Sequence, residues 1–363
     1  MSEIAISEKL RPFSHLPGTL CLIPGSHYAV QVYPCLLRLY NFELPKPVVI
    51  KEIKMLIKGP VDNFTLQCDL EKGCLRVWGT GAGGFFRYEI KKYIENEIAL
   101  YLEKSIAGPI QLSEGEDSYF LEARQIANLL NLKAEISSSE QGPPLLERFS
   151  LGNHKAQDWD LIIRRMDLTE IYPCLYRLAQ WVTPLIKVDE GLAKHLHAVE
   201  GSLTKPEAAV QAWKKIILAL FQGILTPYWE DELHQGIIDP AFFPPMLSPL
   251  YLLKECMRTI RLQFFEQNEF YLHILPALPP EFHCGRFNDL HVPQKGMLDF
   301  EWTKKIIRRV VFRSEKDQEI IFQFKKVKSF RFRKGKLDPG VRINSGQSLT
   351  FEKNCYYFFD NFH

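Results

Sequence analysis

The chain has 363 residues, of which 46% are hydrophobic and 24% are charged, as in ordinary folded globular proteins. This composition excludes collagens, coiled coils and disordered proteins. The 45 basic and 43 acidic residues leave a net charge of +2, so no overall field attracts nucleic acid or an acidic membrane. No apolar run reaches the roughly eighteen residues of a membrane span, and the first residues carry acids where a secretory signal has basic ones. We therefore expect no membrane span and a cytoplasmic location.

Residues 1–110 have the pattern of a β-sandwich-like domain. From Gly18 onward, short segments rich in β-branched and aromatic residues, such as YAVQVY and FTLQCDL, are separated by Gly, Pro, Asn and Asp. Several strands at short, even spacing are typical of a sandwich. A stretch rich in Gly, Pro and acids at 105–117 predicts the first domain boundary.

Residues 111–270 change to a helical period and predict a reduced α-helical domain of the α/α type. Pro206 and Glu207 follow an N-cap threonine, and apolar residues then recur on one face. A second helix is predicted to begin after Asp167, with a kink or a short preliminary turn at Pro173. Further helices are predicted near 118–131, 155–166, 189–200 and 248–267.

Residues 271–363 predict a connector and a small C-terminal β domain. Leu298, Phe300 and Trp302 alternate with polar residues, which is the period of a half-buried strand. The expected fold class is therefore α+β multidomain, with β-rich ends and a reduced helical centre.

The C-terminal region is locally basic, with thirteen Lys and Arg against three acids between Lys304 and Lys336. Phenylalanines lie between these charges, and a basic sheet that carries aromatic rings can bind single-stranded nucleic acid. Strict alternation of aromatic and charged residues is, however, more typical of a sheet with one buried face. The sequence therefore favours a structural explanation over a nucleic-acid partner.

A glycine-rich segment, Gly79 to Gly84, formally satisfies the GxGxxG pattern of dinucleotide-binding folds. That site needs a helix after the glycines, because the pyrophosphate lies on the helix N-terminus. The following residues, FFRYEIKKY, have the pattern of a strand. We expect a β-turn at this segment and no bound cofactor.

Metal ligands are not indicated by the sequence. The eight cysteines form no CxxC and no zinc-finger spacing, so we expect reduced thiols and no metal. A polar group formed by His154, Asp158, Asp160 and Glu170 could ligate a metal ion, but acids near a helix start favour a solvated N-terminus.

The tract from Tyr228 to His234 combines aromatic and acidic side chains. Carboxylates on both sides of a glycosidic bond and aromatic faces beside the sugar ring are what a glycosidase cleft requires. An exposed acidic loop without a ligand is the alternative explanation. The residues that we predict here as substrate-binding or acidic candidates are Tyr228, Trp229, Glu230, Asp231, Glu232 and His234.

Three stretches resemble glycoside hydrolase family 95, the inverting α-L-fucosidases and α-L-galactosidases with an (α/α)6 barrel. They are the segment QAWK at 211–214 with the turn LTP at 225–227, the pair Ile238-Asp239 followed by Phe242, and the connector LHILPALP at 272–279 with GMLDFEW at 296–302. The resemblance covers about residues 205–355. It implies that Asp239 is the general base, whereas the part of the family's barrel that carries the general acid has no counterpart in this chain that we can identify. If the protein is an enzyme, we expect Glu230, Asp231 or Glu232 to protonate the leaving oxygen. Trp229 or Phe242 would then stack on the sugar.

The chain also departs from this family. Pro240, Ala241, Phe242, Phe243 and Pro244 replace the glycine-containing loop that follows the family's aspartate. Prolines stiffen the backbone at the point where glycines would let it approach a ligand. About six predicted helices stand where the barrel has twelve.

Two functions follow from these observations. The first is a glycosidase-like protein without catalysis that binds carbohydrate or another protein. The second is an inverting hydrolase that acts on α-L-fucosides or related glycosides. The sequence alone leaves open whether the protein is an enzyme.

Overall fold

A computed structural model describes residues 4–93, 97–132, 146–182, 206–236 and 247–363. Within these ranges the chain folds mainly into β-sheets, and helices are few. None of the helices in the described part is long and apolar enough to cross a membrane.

Two six-stranded sheets form the first half of the molecule. In chain order their strands are β1 (Phe13–Ser14), β2 (Thr19–Leu22), β3 (Tyr28–Tyr33), β4 (Leu36–Asn41), β5 (Val48–Met55), β6 (Asp62–Asp69), β7 (Cys74–Gly81), β8 (Gly84–Lys92), β9 (Ile98–Ser105), β10 (Ile110–Glu114), β11 (Asp117–Leu121) and β12 (Ile126–Asn128). Sheet A has the order β1-β6-β7-β8-β9-β12, and sheet B has the order β11-β10-β5-β4-β3-β2.

Sheets A and B pack face to face over a shared apolar core, and strands such as β7 and β8 alternate buried with more exposed residues. The thiols of Cys68 in β6 and Cys21 in β2 meet between the sheets. The hydrogen bond with Cys21, together with burial, holds the pKa of the Cys68 thiol well above its usual value. β10 to β12 belong to these sheets, so the sandwich continues beyond residue 110.

Four helices lie in the described residues between and beside the sheets: α1 (Trp159–Arg165), α2 (Leu168–Trp181), α3 (Pro206–Leu220) and α4 (Leu250–Phe264). The side chains of Asp158 and Asp167 cap α1 and α2 by accepting backbone N–H groups. α1 and α4 agree with the helices predicted near 155–166 and 248–267, and α2 agrees with the capped start at Asp167. α3 agrees with the helix predicted from Pro206 onward, whereas its predicted N-cap threonine lies outside the described residues.

The prediction of a central α/α-type domain is not supported. Residues 118–131, predicted as a helix, contain β11 and β12 of the sandwich instead. β13 (Arg148–Ser150) joins the C-terminal sheet, and the β14 (Phe221–Gln222) and β15 (Thr226–Pro227) hairpin lies against β2. The helix predicted at 189–200 lies outside the described residues.

A second pair of sheets forms the C-terminal half. The strands are β16 (Phe265–Gln267), β17 (Tyr271–Ile274), β18 (Cys284–Val292), β19 (Gly296–Thr303), β20 (Ile306–Ser314), β21 (Gln318–Phe324), β22 (Ser329–Lys334), β23 (Val341–Asn344), β24 (Ser348–Phe351) and β25 (Tyr356–Asp360). Sheet C has the order β13-β18-β19-β20-β25-β22-β23, and sheet D has the order β16-β17-β21-β24. The predicted C-terminal β region is thus present.

An aromatic cluster joins the helices to sheet C. Phe287 of β18 stacks on Phe149 of β13 at 4.3 Å, and Phe149 meets Phe264 of α4 at 4.9 Å and Tyr176 of α2 at 5.5 Å. Ring contacts of this kind contribute about 0.5–1.5 kcal/mol each beyond their area burial. These contacts join the central helices to sheet C within one apolar core that also includes the two sandwich sheets.

Candidate functional site

A cleft of about 680 Å³ separates the outer face of sheet B from the helical segment. Its volume lies in the range of small-molecule sites. The sheet side presents Leu20, Gln31 and Tyr40, and Trp159 and Asp160 of α1 lie on the helical side. The end of α3, the β14–β15 hairpin and most of the acidic tract complete the lining.

The β14–β15 hairpin is held against sheet B by backbone contacts. The amide of Ile224 donates a 2.9 Å hydrogen bond to the carbonyl oxygen of Leu20. Gly223 has φ +50°, and a Cβ atom at this position would collide with the same carbonyl oxygen. A glycine is therefore required where the hairpin meets β2.

Asp231 has a structural role in the acidic tract. One carboxylate oxygen accepts the N–H of Gln235 at 2.8 Å, and the other accepts the N–H of Gly236 at 2.9 Å. Gly236 in turn packs so closely on the Lys215 carbonyl of α3 that a Cβ would not fit. Asp231 thus closes the loop, and both of its oxygens are used.

The two neighbouring glutamates differ from Asp231. Glu230 forms a 2.9 Å ion pair with Lys46, and both side chains are exposed. Glu232 makes no hydrogen bond or ion pair within the described residues, and it lines the cleft. Among the three predicted acids, Glu232 is therefore the carboxylate that can best reach a ligand.

The aromatic candidates have separate environments. Tyr228 lines the cleft and packs edge-on against Phe42 at 5.5 Å, and burial raises the pKa of its hydroxyl, with smaller contributions from Tyr40 and Glu232. Trp229 is only 6% exposed, and its indole N–H donates to the carbonyl oxygen of Leu247 at 2.5 Å. Tyr228 can therefore contact a ligand in the cleft, whereas the ring of Trp229 belongs to the core.

Of the remaining predicted residues, only His234 is described, and it does not line the cleft. His234 is exposed at the turn of the acidic loop with φ +51°, and its amide donates to the carbonyl oxygen of Asp231. Asp239 and Phe242, the predicted base and a predicted stacking residue, lie outside the described residues.

Gln31 and Tyr40 line the cleft although no pattern in the sequence indicated them. Tyr40 donates its hydroxyl to the side-chain oxygen of Gln31 at 3.3 Å, so the two side chains are oriented together. The acid of the polar group near α1 that reaches the cleft is Asp160, and it accepts a 2.8 Å hydrogen bond from the Ser14 hydroxyl. The alternation of β4 places Tyr40 on a polar face, but only the tertiary fold brings it beside residues 228–232.

The glycine-rich segment forms the turn of the β7–β8 hairpin, where Gly81 pairs with Gly84. The next residues continue as strand β8 rather than as a helix. A second cavity, of about 430 Å³, lies beside this hairpin and is lined mainly by aliphatic and glycine residues. It offers few polar groups for orienting a ligand.

The aromatic residues of the basic C-terminal region face inward. Phe312, Phe322 and Phe330 are fully buried between sheets C and D, as the alternation indicated. Within the described residues no group of three His, Cys, Asp or Glu could hold a metal ion, and all eight cysteines are free thiols.

No family model matches the chain, and no curated protein is similar enough to count as a relative. The resemblance to glycoside hydrolase family 95 therefore stays a prediction.

Proposed function

We propose that this protein binds carbohydrate in the cleft between sheet B and the helical segment, and that it is a glycosidase-like protein without catalysis. The observation that carries the proposal is the lining of the cleft. Two tyrosines, Tyr40 and Tyr228, lie there together with Gln31 and Asp160. Aromatic rings with a few oriented polar groups suit a ligand that is rich in hydroxyl groups.

The partners of the acidic residues favour binding over hydrolysis. A general acid must hold a proton that it can transfer to the leaving oxygen. Asp231 is committed to two backbone amides, and Glu230 is paired with Lys46. Neither is positioned as a proton donor, whereas both stabilise the rim of a binding cleft.

An inverting hydrolase that acts on α-L-fucosides or related glycosides is the second candidate. The Glu232 carboxylate in the cleft, which has no hydrogen-bond or ion-pair partner among the described residues, favours it, because inversion needs an acid and a base on opposite sides of the bond. In that case Glu232 would be the acid and Asp239 the base.

Calorimetric titration of the full chain with fucosyllactose tests binding. We expect Tyr40→Ala and Gln31→Ala to lower the affinity at least about tenfold, because each removes a contact in the cleft. Tyr356→Ala, which changes a tyrosine 50% exposed on sheet C, is the matched control and should bind like the unchanged protein. Absence of binding by the folded protein would refute the proposal.

Release of fucose or galactose from aryl glycosides separates the two candidates. Turnover that is lost in both Glu232→Gln and Asp239→Asn would establish the hydrolase. If neither the unchanged protein nor either variant releases sugar, while fucosyllactose still binds, the binding function is supported and the hydrolase is excluded.

A further inference from the structure

The outer face of sheet B continues the cleft wall beyond the cleft. Gln31, which lines the cleft, lies directly opposite Arg38 on β4, and Arg38 lies directly opposite Glu52 on β5. Side chains in such register positions point to the same face of a sheet. Arg38 is therefore the next side chain across the sheet from the cleft.

Arg38 is held in a fixed position on this face. Its Nε donates to Glu52 at 2.6 Å, and its guanidinium lies 5.8 Å from the ring centre of Tyr33. The side chains of Arg38 and Glu52 are nevertheless 38% and 51% exposed. The group therefore combines an oriented guanidinium and a carboxylate, both accessible from outside, with the partly exposed ring of Tyr33.

We propose that Tyr33, Arg38 and Glu52 form a second subsite for the saccharide, so that the ligand is an uncharged oligosaccharide rather than a single sugar. This inference rests on the proposed function of the cleft. Arg38 and Tyr40 are two residues apart on one strand, which separates them by about 7 Å along it. A ring that lies on Tyr40 is therefore about one sugar unit from Arg38, and a ligand with a second ring can contact both residues.

The charges of the second subsite select the ligand class. Arg38 and Glu52 neutralise each other, so the subsite itself carries no net charge. The planar guanidinium presents several N–H donors in a fixed fork, and the carboxylate presents acceptors. Neighbouring hydroxyl groups on a neutral sugar ring can accept hydrogen bonds from the guanidinium and donate hydrogen bonds to the carboxylate.

Titration of the full chain with L-fucose, fucosyllactose and a fucosylated hexasaccharide tests the second subsite. We expect the affinity to rise about tenfold or more between L-fucose and the hexasaccharide. Arg38→Ala should remove most of this gain and leave the affinity for L-fucose unchanged. Arg38→Lys should not restore the gain, because lysine lacks the planar fork. Arg308→Ala, which changes an exposed arginine on β20, is the matched control.

The outcomes separate this inference from the proposed function. Equal affinity for L-fucose and the hexasaccharide, or a hexasaccharide affinity that Arg38→Ala leaves unchanged, would overturn the second subsite while cleft binding stands. Equal weakening of all three ligands by Arg38→Ala would overturn it too, because Arg38 would then act on the cleft itself. If none of the three sugars binds, both proposals fail.

Discussion

Replacing Asp231 by alanine should open the acidic loop at the rim of the cleft. The carboxylate accepts the backbone N–H groups of Gln235 and Gly236 through its two oxygens. Alanine leaves both amides without an acceptor. Because Gly236 packs against α3, the opening should expose the contact between the loop and that helix.

The size of the effect follows from these two hydrogen bonds. A hydrogen bond to a charged group contributes about 1.5–3 kcal/mol, and the lower end applies at this partly exposed loop. Two such bonds give about 3 kcal/mol in the free energy of local opening, which corresponds to about 150-fold. The cost is local, so the global free energy of unfolding should change much less.

Amide hydrogen exchange measures this directly. We expect exchange at Gln235 and Gly236 to become about two orders of magnitude faster in Asp231→Ala. Glu232→Ala is the matched control, because it removes a neighbouring carboxylate that has no hydrogen bond within the described residues. Equal acceleration of exchange in both variants would refute the role of Asp231 in closing the loop. Asp231 would then again be a candidate for the general acid.

Three further predictions concern the rest of the fold. Phe287→Ala should lower the free energy of unfolding by about 3–5 kcal/mol in a denaturant titration, whereas Phe120→Ala, at a ring 59% exposed, should cost less than about 0.5 kcal/mol. Gly223→Ala should displace the β14–β15 hairpin and weaken binding of fucosyllactose, while Gly346→Ala, with open space around its Cβ position, should leave binding intact. Burial raises the pKa of the Cys74 thiol to about 12, which lowers its thiolate fraction at pH 8. In a thiol titration the exposed Cys35 should therefore react first, and Cys74 should react only after unfolding.

The sequence predicted the local structure well where period and capping agree. Asp167 caps α2 as expected, and the alternation around Phe300 marks a strand of the C-terminal sheet. The prediction of a helix at 118–131 was wrong. The apolar residues of this segment recur at helical spacing, although they lie on β11, a turn and β12. Pairing with β9 and β10 supplies contacts that local periodicity cannot show.

The cleft was only partly predictable for a related reason. The acidic and aromatic composition of residues 228–232 indicated a ligand site, and all of these residues except Trp229 line the cleft. Sequence could not reveal that Asp231 is occupied by its own loop, because the partners are backbone amides. Gln31 and Tyr40 are nearly two hundred residues from the acidic tract, so their place in the cleft depends on the hairpin docking against β2.

The cleft is formed by connections between distant parts of the chain, and this bears on its function. One wall is fixed by the backbone bond between Ile224 and Leu20. The other is fixed near α1, where the amide of Phe13 donates to the carbonyl oxygen of Gln157 and Ser14 donates to Asp160. A cleft held on both sides loses little conformational entropy when a ligand binds, so ordering of the protein offsets less of the affinity that its few polar contacts supply. This favours binding at an existing surface over a site that assembles only when the ligand arrives.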